Sequence, residues 1–320
     1  MFFMNHSNAS FNQTFDWDSG ATIQTIISFT TVAVNGFALG LLIQVHMHHN
    51  APFNIYLMHL LLANIYLTLP DACRIMGYIN YPGYFGSVWC RLAMYSDEIG
   101  SAMVKHAHLL ISVNRIWALI FPVSYRNCHT TTVALLICAS AVVCCHVVLL
   151  PLLIRDYLFY QYPESAGICD TNDVAQSVYS FSVYVICFMF PNVFMYVSYP
   201  FLCWKYRHGR RVFVHFAVSY AKSTTTSGGS RRHSERSPPS LAKDHQRGFR
   251  VLAVLTVTIF VCWTPSMVRQ VLLRVCGFGF DLLQRIGDTL YAVQGILDPV
   301  LFALVLGDLR KRFTQLFKCN

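Results

Sequence analysis

The chain has 320 residues, 55% hydrophobic and only 12% charged, with a net charge of +9 and a mean hydropathy of +0.44. Soluble domains carry about 25% charged residues, so a soluble single domain is excluded. The basic excess is gathered in a few segments, which makes it a topology signal and sets nucleic-acid binding aside. Apolar runs near 21–46, 54–76, 88–113, 131–154, 174–204, 249–273 and 286–306 each approach the ~20 residues that a spanning helix needs. They predict an all-α membrane protein, a seven-transmembrane helix bundle over 21–306. Seven spans place the termini on opposite sides. Residues 1–20 hold no Lys or Arg, eleven lie between Lys205 and Arg250, and Arg310, Lys311, Arg312 and Lys318 follow the last span. The positive-inside bias therefore puts the N-terminus outside and the tail in the cytoplasm, where the basic segments meet anionic membrane lipid.

The segment 1–20 carries three N-x-Ser/Thr acceptors, at Asn5, Asn8 and Asn12, which predict an extracellular glycosylated N-terminus. No cleavable signal pattern precedes the first span, so that span is expected to serve as the insertion signal. Within it, Asn35 is an amide in an apolar helix and needs a partner, because an unsatisfied amide in lipid costs several kcal/mol. His46, His48 and His49 follow in a short loop, without the cysteine or carboxylate that a metal set would add. The second span holds Leu62-Ala63-Asn64-Ile65 and Pro70.

The third span organises the chain. It runs from Cys90 through Asp97 and Glu98 to Val113-Asn114-Arg115-Ile116, with Pro122 and Tyr125 following. Cys90 and Arg115 are 25 residues apart, about 38 Å of helix, so a cysteine stands at one membrane face and an arginine at the other. This layout resembles the third helix of rhodopsin-like (class A) G-protein-coupled receptors, with an outer Cys, an inner Asp-Arg-Tyr and a following Pro and Tyr. Asn114-Arg115-Ile116 keeps the arginine and loses the acid and the aromatic. Lys105, His106 and His108 in mid-helix are unusual for the family. Lys105 requires a partner or a wet cavity, Asp97 is one conceivable partner, and the histidines are expected to bond to backbone as neutral rings.

The resemblance extends to the rest of the chain. Cys90 and Cys169, the latter in an acidic outer loop after Pro151, are the cysteines that it pairs as a disulfide, while a second bridge between Cys73 and Cys276 is disfavoured. Pro191 and Tyr199 match the fifth helix. Lys205–Arg250 is the main cytoplasmic loop, its Ser/Gly/Pro-rich middle expected to be partly disordered, with Ser234 after Arg231-Arg232-His233 as a phosphorylation candidate. Cys262-Trp263-Thr264-Pro265 matches the sixth-helix hinge, where proline frees a carbonyl and bends the helix. Asp298-Pro299-Val300-Leu301-Phe302 stands for the seventh-helix Asn-Pro-x-x-Tyr. Asn64 falls where the family has the aspartate of its internal sodium site, so the acid has moved to Asp298 in an internal polar site with Asn35. Val104, where a hydroxyl often stands, leaves the sodium set incomplete. Residues 307–320 are similar to the short amphipathic eighth helix and its tail, with Cys319 open to palmitoylation.

By this resemblance the ligand sits among the outer halves of the helices, near Asp97, Glu98, Ser101, Tyr184, Trp263, Arg269, Asp288 and Tyr291. The acids favour a cationic amine or basic peptide, although Arg269 and Lys105 are each able to neutralise one of them. Asn114, Arg115, Tyr199, Trp263, Pro265, Asp298, Pro299 and Phe302 are the coupling and switch positions. The loss of the acid before Arg115 releases a restraint, and the loss of the hydroxyl at Phe302 removes an active-state partner of Tyr199. The implied partners are an extracellular ligand, a heterotrimeric G protein and arrestin, and no cofactor is expected. No inverted repeat points to a transporter, no His-Glu-x-x-His or nucleophile–base set points to an enzyme, and 288–302 lacks the lysine that a light-sensing opsin needs. The alternative is a heptahelical receptor-like protein that does not activate G proteins, acting as a scavenger or heterodimer partner.

Overall fold

The computed structural model describes residues 19–49, 51–80, 86–160, 171–172, 175–198, 200–201, 204, 239–276 and 281–305. All regular structure among them is helical: α1 (Ser19–His49), α2 (Pro52–Asn80), α3 (Gly86–Ile120), the short α4 (Pro122–Cys128) and α5 (Thr131–Arg155). These are followed by α6 (Ser177–Ser198), α7 (Pro239–Cys276) and α8 (Asp281–Val305). Five of the long helices, α1, α2, α5, α6 and α7, are long and apolar enough to cross a membrane, and α3 with α4 makes a sixth across a bend of 118°. The remaining long helix, α8, is less apolar because it carries Asp281, Arg285, Asp288 and Asp298.

Local chemistry fixes the breaks. Pro122 occupies the first turn of α4; it has no N–H to extend α3, and its ring disfavours a helical residue before it, so the chain turns at Phe121. The Thr130 hydroxyl accepts from the Val133 N–H at 3.3 Å and caps α5, satisfying one of that helix's orphan donors. A π turn at Val185–Met189 widens α6 just before Pro191, with the Phe190 N–H donating to the Val185 carbonyl. A wider turn makes room for the proline ring, which would otherwise press on the preceding turn.

Packing is inverted relative to a soluble bundle. Leu136, Val143 and Val147 of α5 and Val178 and Val197 of α6 are exposed, whereas Asn35, Asn64, His108, Gln294 and Asp298 are each 2% exposed or less. Outward apolar faces and an inward polar seam suit a lipid surround, and the chain is a multi-pass membrane protein. Helix α3 lies at the centre, against α2, α5, the π turn of α6, and α7; α1 packs on α2 and α8, and α7 on α8.

Two glycines set the closest approaches. A Cβ on Gly295 of α8 would stand 2.8 Å from Thr31 Cγ2 of α1, and one on Gly100 of α3 would stand 2.8 Å from the Leu67 Cα of α2. The second obstacle is backbone and yields only if the helices part. Gly100→Ala is therefore expected to destabilise the bundle by about 1–3 kcal/mol, read as a lower thermal midpoint and reduced surface display; unchanged values would show that α2 and α3 separate at no cost.

Candidate ligand site and internal polar network

The sequence puts an acid in the middle of an apolar helix, and the fold surrounds it with donors. Asp298 Oδ2 accepts from Asn64 Nδ2 of α2 at 3.2 Å and lies 3.0 Å from His108 Nε2 of α3, while its Oδ1 accepts from Gln294 Nε2 at 2.5 Å. Asn64 Nδ2 also reaches Asn35 Oδ1 at 3.2 Å, and Asn35 Nδ2 donates to the Thr31 and Gly295 carbonyls, each at 2.8 Å. Asn35, Asn64 and Asp298 thus meet, and four helices are joined through them. His108 bonds to a carboxylate instead of the backbone, whereas His106 takes the expected bond, to the Ala102 carbonyl at 2.9 Å.

The donor set does not fit sodium. The contact between His108 and Asp298 requires a proton on Nε2, so a histidine N–H covers the oxygen that a cation would need. Val104 of α3, buried beside this network, adds no oxygen. A hydrogen-bonding side chain of the chain itself stands against the carboxyl oxygen.

Above the network lies an aromatic group. The Trp263 ring of α7 meets His108 edge-on, with centroids 5.2 Å apart, and Tyr291 of α8 at 6.1 Å. Trp263 is 1% exposed, and its Nε1 has no acceptor. Pro265 two residues on leaves the Val261 carbonyl without its helical donor. Beside this hinge the Thr264 hydroxyl bonds to the Phe260 carbonyl and lies 3.1 Å from the Tyr196 hydroxyl of α6.

Of the other ligand-site candidates, Ser101 is half-buried beside Tyr291. Asp97 is exposed and Glu98 half-buried, both close enough to act electrostatically on Tyr291 and Lys105. Tyr184 is buried and stacks on Phe188 at 5.8 Å. Arg269 is half-buried on α7 and Asp288 exposed on α8. Lys105 makes no ion pair with Asp97; its ammonium stands over the rings of Tyr291, Trp263 and Phe188 at 4.4, 4.9 and 5.2 Å.

The inner end of α3 forms a second cluster. Asn114 Oδ1 accepts from the Tyr125 hydroxyl at 3.2 Å, and its Nδ2 lies 2.9 Å from His129 Nε2, which is 3.0 Å from the Tyr56 hydroxyl. Tyr125 and Tyr56 stack on His129 at 4.5 and 5.7 Å. The Arg115 guanidinium lies 3.3 Å over the Phe53 ring, a cation–π contact, and Asn114 stands at the position of the lost acid. Phe302 is buried at 3% exposure. Sequence reasoning did not single out Phe53, Tyr56, His129, Gln294 or Phe188, since nothing in their local pattern marks them as neighbours of α3.

Asn5, Asn8, Asn12, Cys169, Tyr199, Ser234, Cys319 and the whole of 307–320 lie outside the described residues, as do the side chains of Cys90, Cys73, Cys276 and His245.

Comparison with known proteins places these features in a family. Residues 34–302 match the family described as 7 transmembrane receptor (rhodopsin family). The chain is 21% identical to the Allatostatin-A receptor of Bombyx mori over 251 residues, 73% of this chain and 62% of that protein. It is 26% identical to the human Somatostatin receptor type 3 over 295 residues, 87% of this chain and 63% of that protein. The chain thus spans somewhat over three-fifths of the length of these curated relatives.

His129 provides a pH test. Asn114 Nδ2 can only donate, because its Oδ1 serves Tyr125, so His129 Nε2 is the acceptor and the ring is neutral. Burial pushes its pKa below the usual value. A neutral ring in the fold contributes fully above the unfolded pKa, about 6.5, and the contribution is lost as pH falls towards the lower folded value. The thermal midpoint of the wild type is expected to fall on acidification below pH ~6.5, more steeply than that of His129→Gln; parallel profiles would remove His129 from the account.

Proposed function

The chain belongs to the rhodopsin family of seven-transmembrane receptors, and from that premise we propose that it is a cell-surface receptor that binds an extracellular ligand and signals through heterotrimeric G proteins. The N-terminus is outside, and the basic loop 205–250 and the tail face anionic lipid, G protein and arrestin in the cytoplasm. Asp97 and Glu98, with Asp288 nearer the mouth, favour a ligand with a basic group, an amine or a basic peptide.

One observation carries the mechanism: Trp263, two residues before Pro265 in α7, touches Tyr291 and His108. A ligand that moves the indole changes the packing on His108, which holds Asp298 and so bears on α2, α1 and α8. Because the proline removes one rung of the helical ladder, the inner half of α7 swings outward at lower cost than in an intact helix. A ligand shifts the population only to the extent that it binds the swung state more tightly. At the inner end, movement of α7 opens a cavity beside Arg115, which leaves the Phe53 ring to meet the G protein.

The second reading, a receptor-like protein that does not activate G proteins, draws on the inner cluster. Asn114 is engaged by Tyr125 and His129, and Phe302 has no hydroxyl to offer an active state.

Ligand-free second-messenger output across the G-protein classes, at confirmed surface display, separates the two. Output above empty-vector cells that falls to background in Arg115→Ala at equal display is expected. Output that survives in Arg115→Ala goes against coupling through this end of α3 and favours the second reading.

A further inference from the structure

Lys105 is a costly side chain to place in a membrane bundle. It lies on α3 eight residues after Asp97 and ten before Arg115, deep in the span, and is 9% exposed. An ammonium in such a place needs a counter-charge, yet among the described residues no carboxylate lies within ion-pair distance of it. Asp97 and Glu98 act on it only through space. Its neighbours are the faces of Tyr291, Trp263 and Phe188. Rings attract the charge but accept none of its three N–H bonds in the way an oxygen lone pair does.

The neighbouring polar atoms are donors too. Trp263 Nε1 is buried without an acceptor, and the Tyr291 hydroxyl, which can donate or accept, lies beside the Ser101 side chain. An ammonium and an indole N–H, beside a phenol that can donate as well as accept, therefore surround one place, and among the described residues no carboxylate stands there to receive them. Unsatisfied buried donors are expensive, and their chemical complement is a compact anion rich in lone pairs. One positive charge flanked by flat apolar rings suits a carboxylate, whose two oxygens accept from several donors at once.

The same helix face indicates the other end. Glu98 is seven residues before Lys105, two helical turns or about 10 Å along one face, and Ser101 and Tyr291 between them are half-buried. An acid towards the mouth and a lysine at the floor present opposite charges to one molecule.

We propose that Lys105 anchors a ligand carboxylate together with the Trp263 and Tyr291 donors, and that the ligand is an amphoteric molecule whose basic end meets Glu98 two turns away. The inference rests on the ligand-receptor reading above and narrows its basic ligand to one that also carries an acid. Lys105 is thus kept for binding at the expense of the empty bundle's stability.

The test uses the full-length receptor in lipid nanodiscs, with 8-aminooctanoate, 8-amino-1-octanol and octanoate as probes and the thermal midpoint as readout. The amino acid, whose extended length matches the two turns, is expected to stabilise the wild type at a concentration at least about tenfold lower than the amino alcohol, as a charged hydrogen bond predicts. In Lys105→Met the two are expected to differ by less than about twofold, and the probe-free midpoint to rise. Lys105→Arg keeps the preference and checks that the site is intact. No difference between amino acid and amino alcohol in the wild type, including no shift with either, overturns the anchor. A preference that persists in Lys105→Met, or a probe-free midpoint that falls in that variant, does the same. Octanoate as effective as 8-aminooctanoate overturns the Glu98 half alone. The readout needs no G protein, so a failure of coupling and a failure of the anchor are distinguishable.

Discussion

A single buried carboxylate dictates most of this architecture. Asp298 is 0% exposed, and a carboxylate in that position is tolerated only if its lone pairs are filled, since an unpaired buried charge costs several kcal/mol. Asn64, His108 and Gln294 fill them from α2, α3 and α8, and Asn35 extends the network to α1 through Asn64 and the Gly295 carbonyl. Each bond is specific in direction and length, so together they set the depth of four helices against one another. Apolar packing in lipid is comparatively permissive, because lipid tails compete with side chains for the same contacts. The polar seam supplies the register that greasy faces alone would leave loose.

The seam also connects the two ends of the molecule. Lys105, Tyr291 and Trp263 form the upper storey, His108 and Asp298 the middle, and Trp263 touches both. The lower storey, Asn114 with His129 and Tyr125 and Arg115 over Phe53, is built by α3, α2 and the α4 connection. Helix α3 runs through all three, and α7, which carries Trp263, lacks one ladder donor at Pro265. The three storeys thus share one axis, with a helix of weakened ladder beside it.

Much of this was legible in the sequence, for identifiable reasons. The long apolar runs announce spanning helices because lipid imposes a minimum length and forbids unpaired backbone. The exchange of Asn64 and Asp298 was visible because both stand at fixed places in motifs, and the fold brings them within 3.2 Å. His108 as the partner of Asp298 was not visible: the two are 190 residues apart, and a histidine in an apolar helix is equally well satisfied by the carbonyl a turn earlier, as His106 is. Phe53 under Arg115 was hidden for a different reason, since it sits at the start of α2 in an ordinary apolar pattern and acquires its role only when the α2 and α3 ends meet. Lys105 was conspicuous by its charge, and a pairing with Asp97 was one conceivable outcome, but its ammonium stands over rings of three other helices, which no local pattern announces. Motif positions were readable; contacts between helices that no motif ties together were not.

The central claim is that a histidine of the chain, in place of an ion, satisfies Asp298. It is tested most directly by a double-mutant cycle of His108→Asn and Asp298→Asn on unfolding of the receptor in nanodiscs. If the two residues are bonded, each single change strands the other partner and the double change costs less than the sum, with a coupling of about 1–3 kcal/mol. Additive effects, agreeing within about 0.5 kcal/mol, would mean that His108 and Asp298 act independently and that the network is held in some other way.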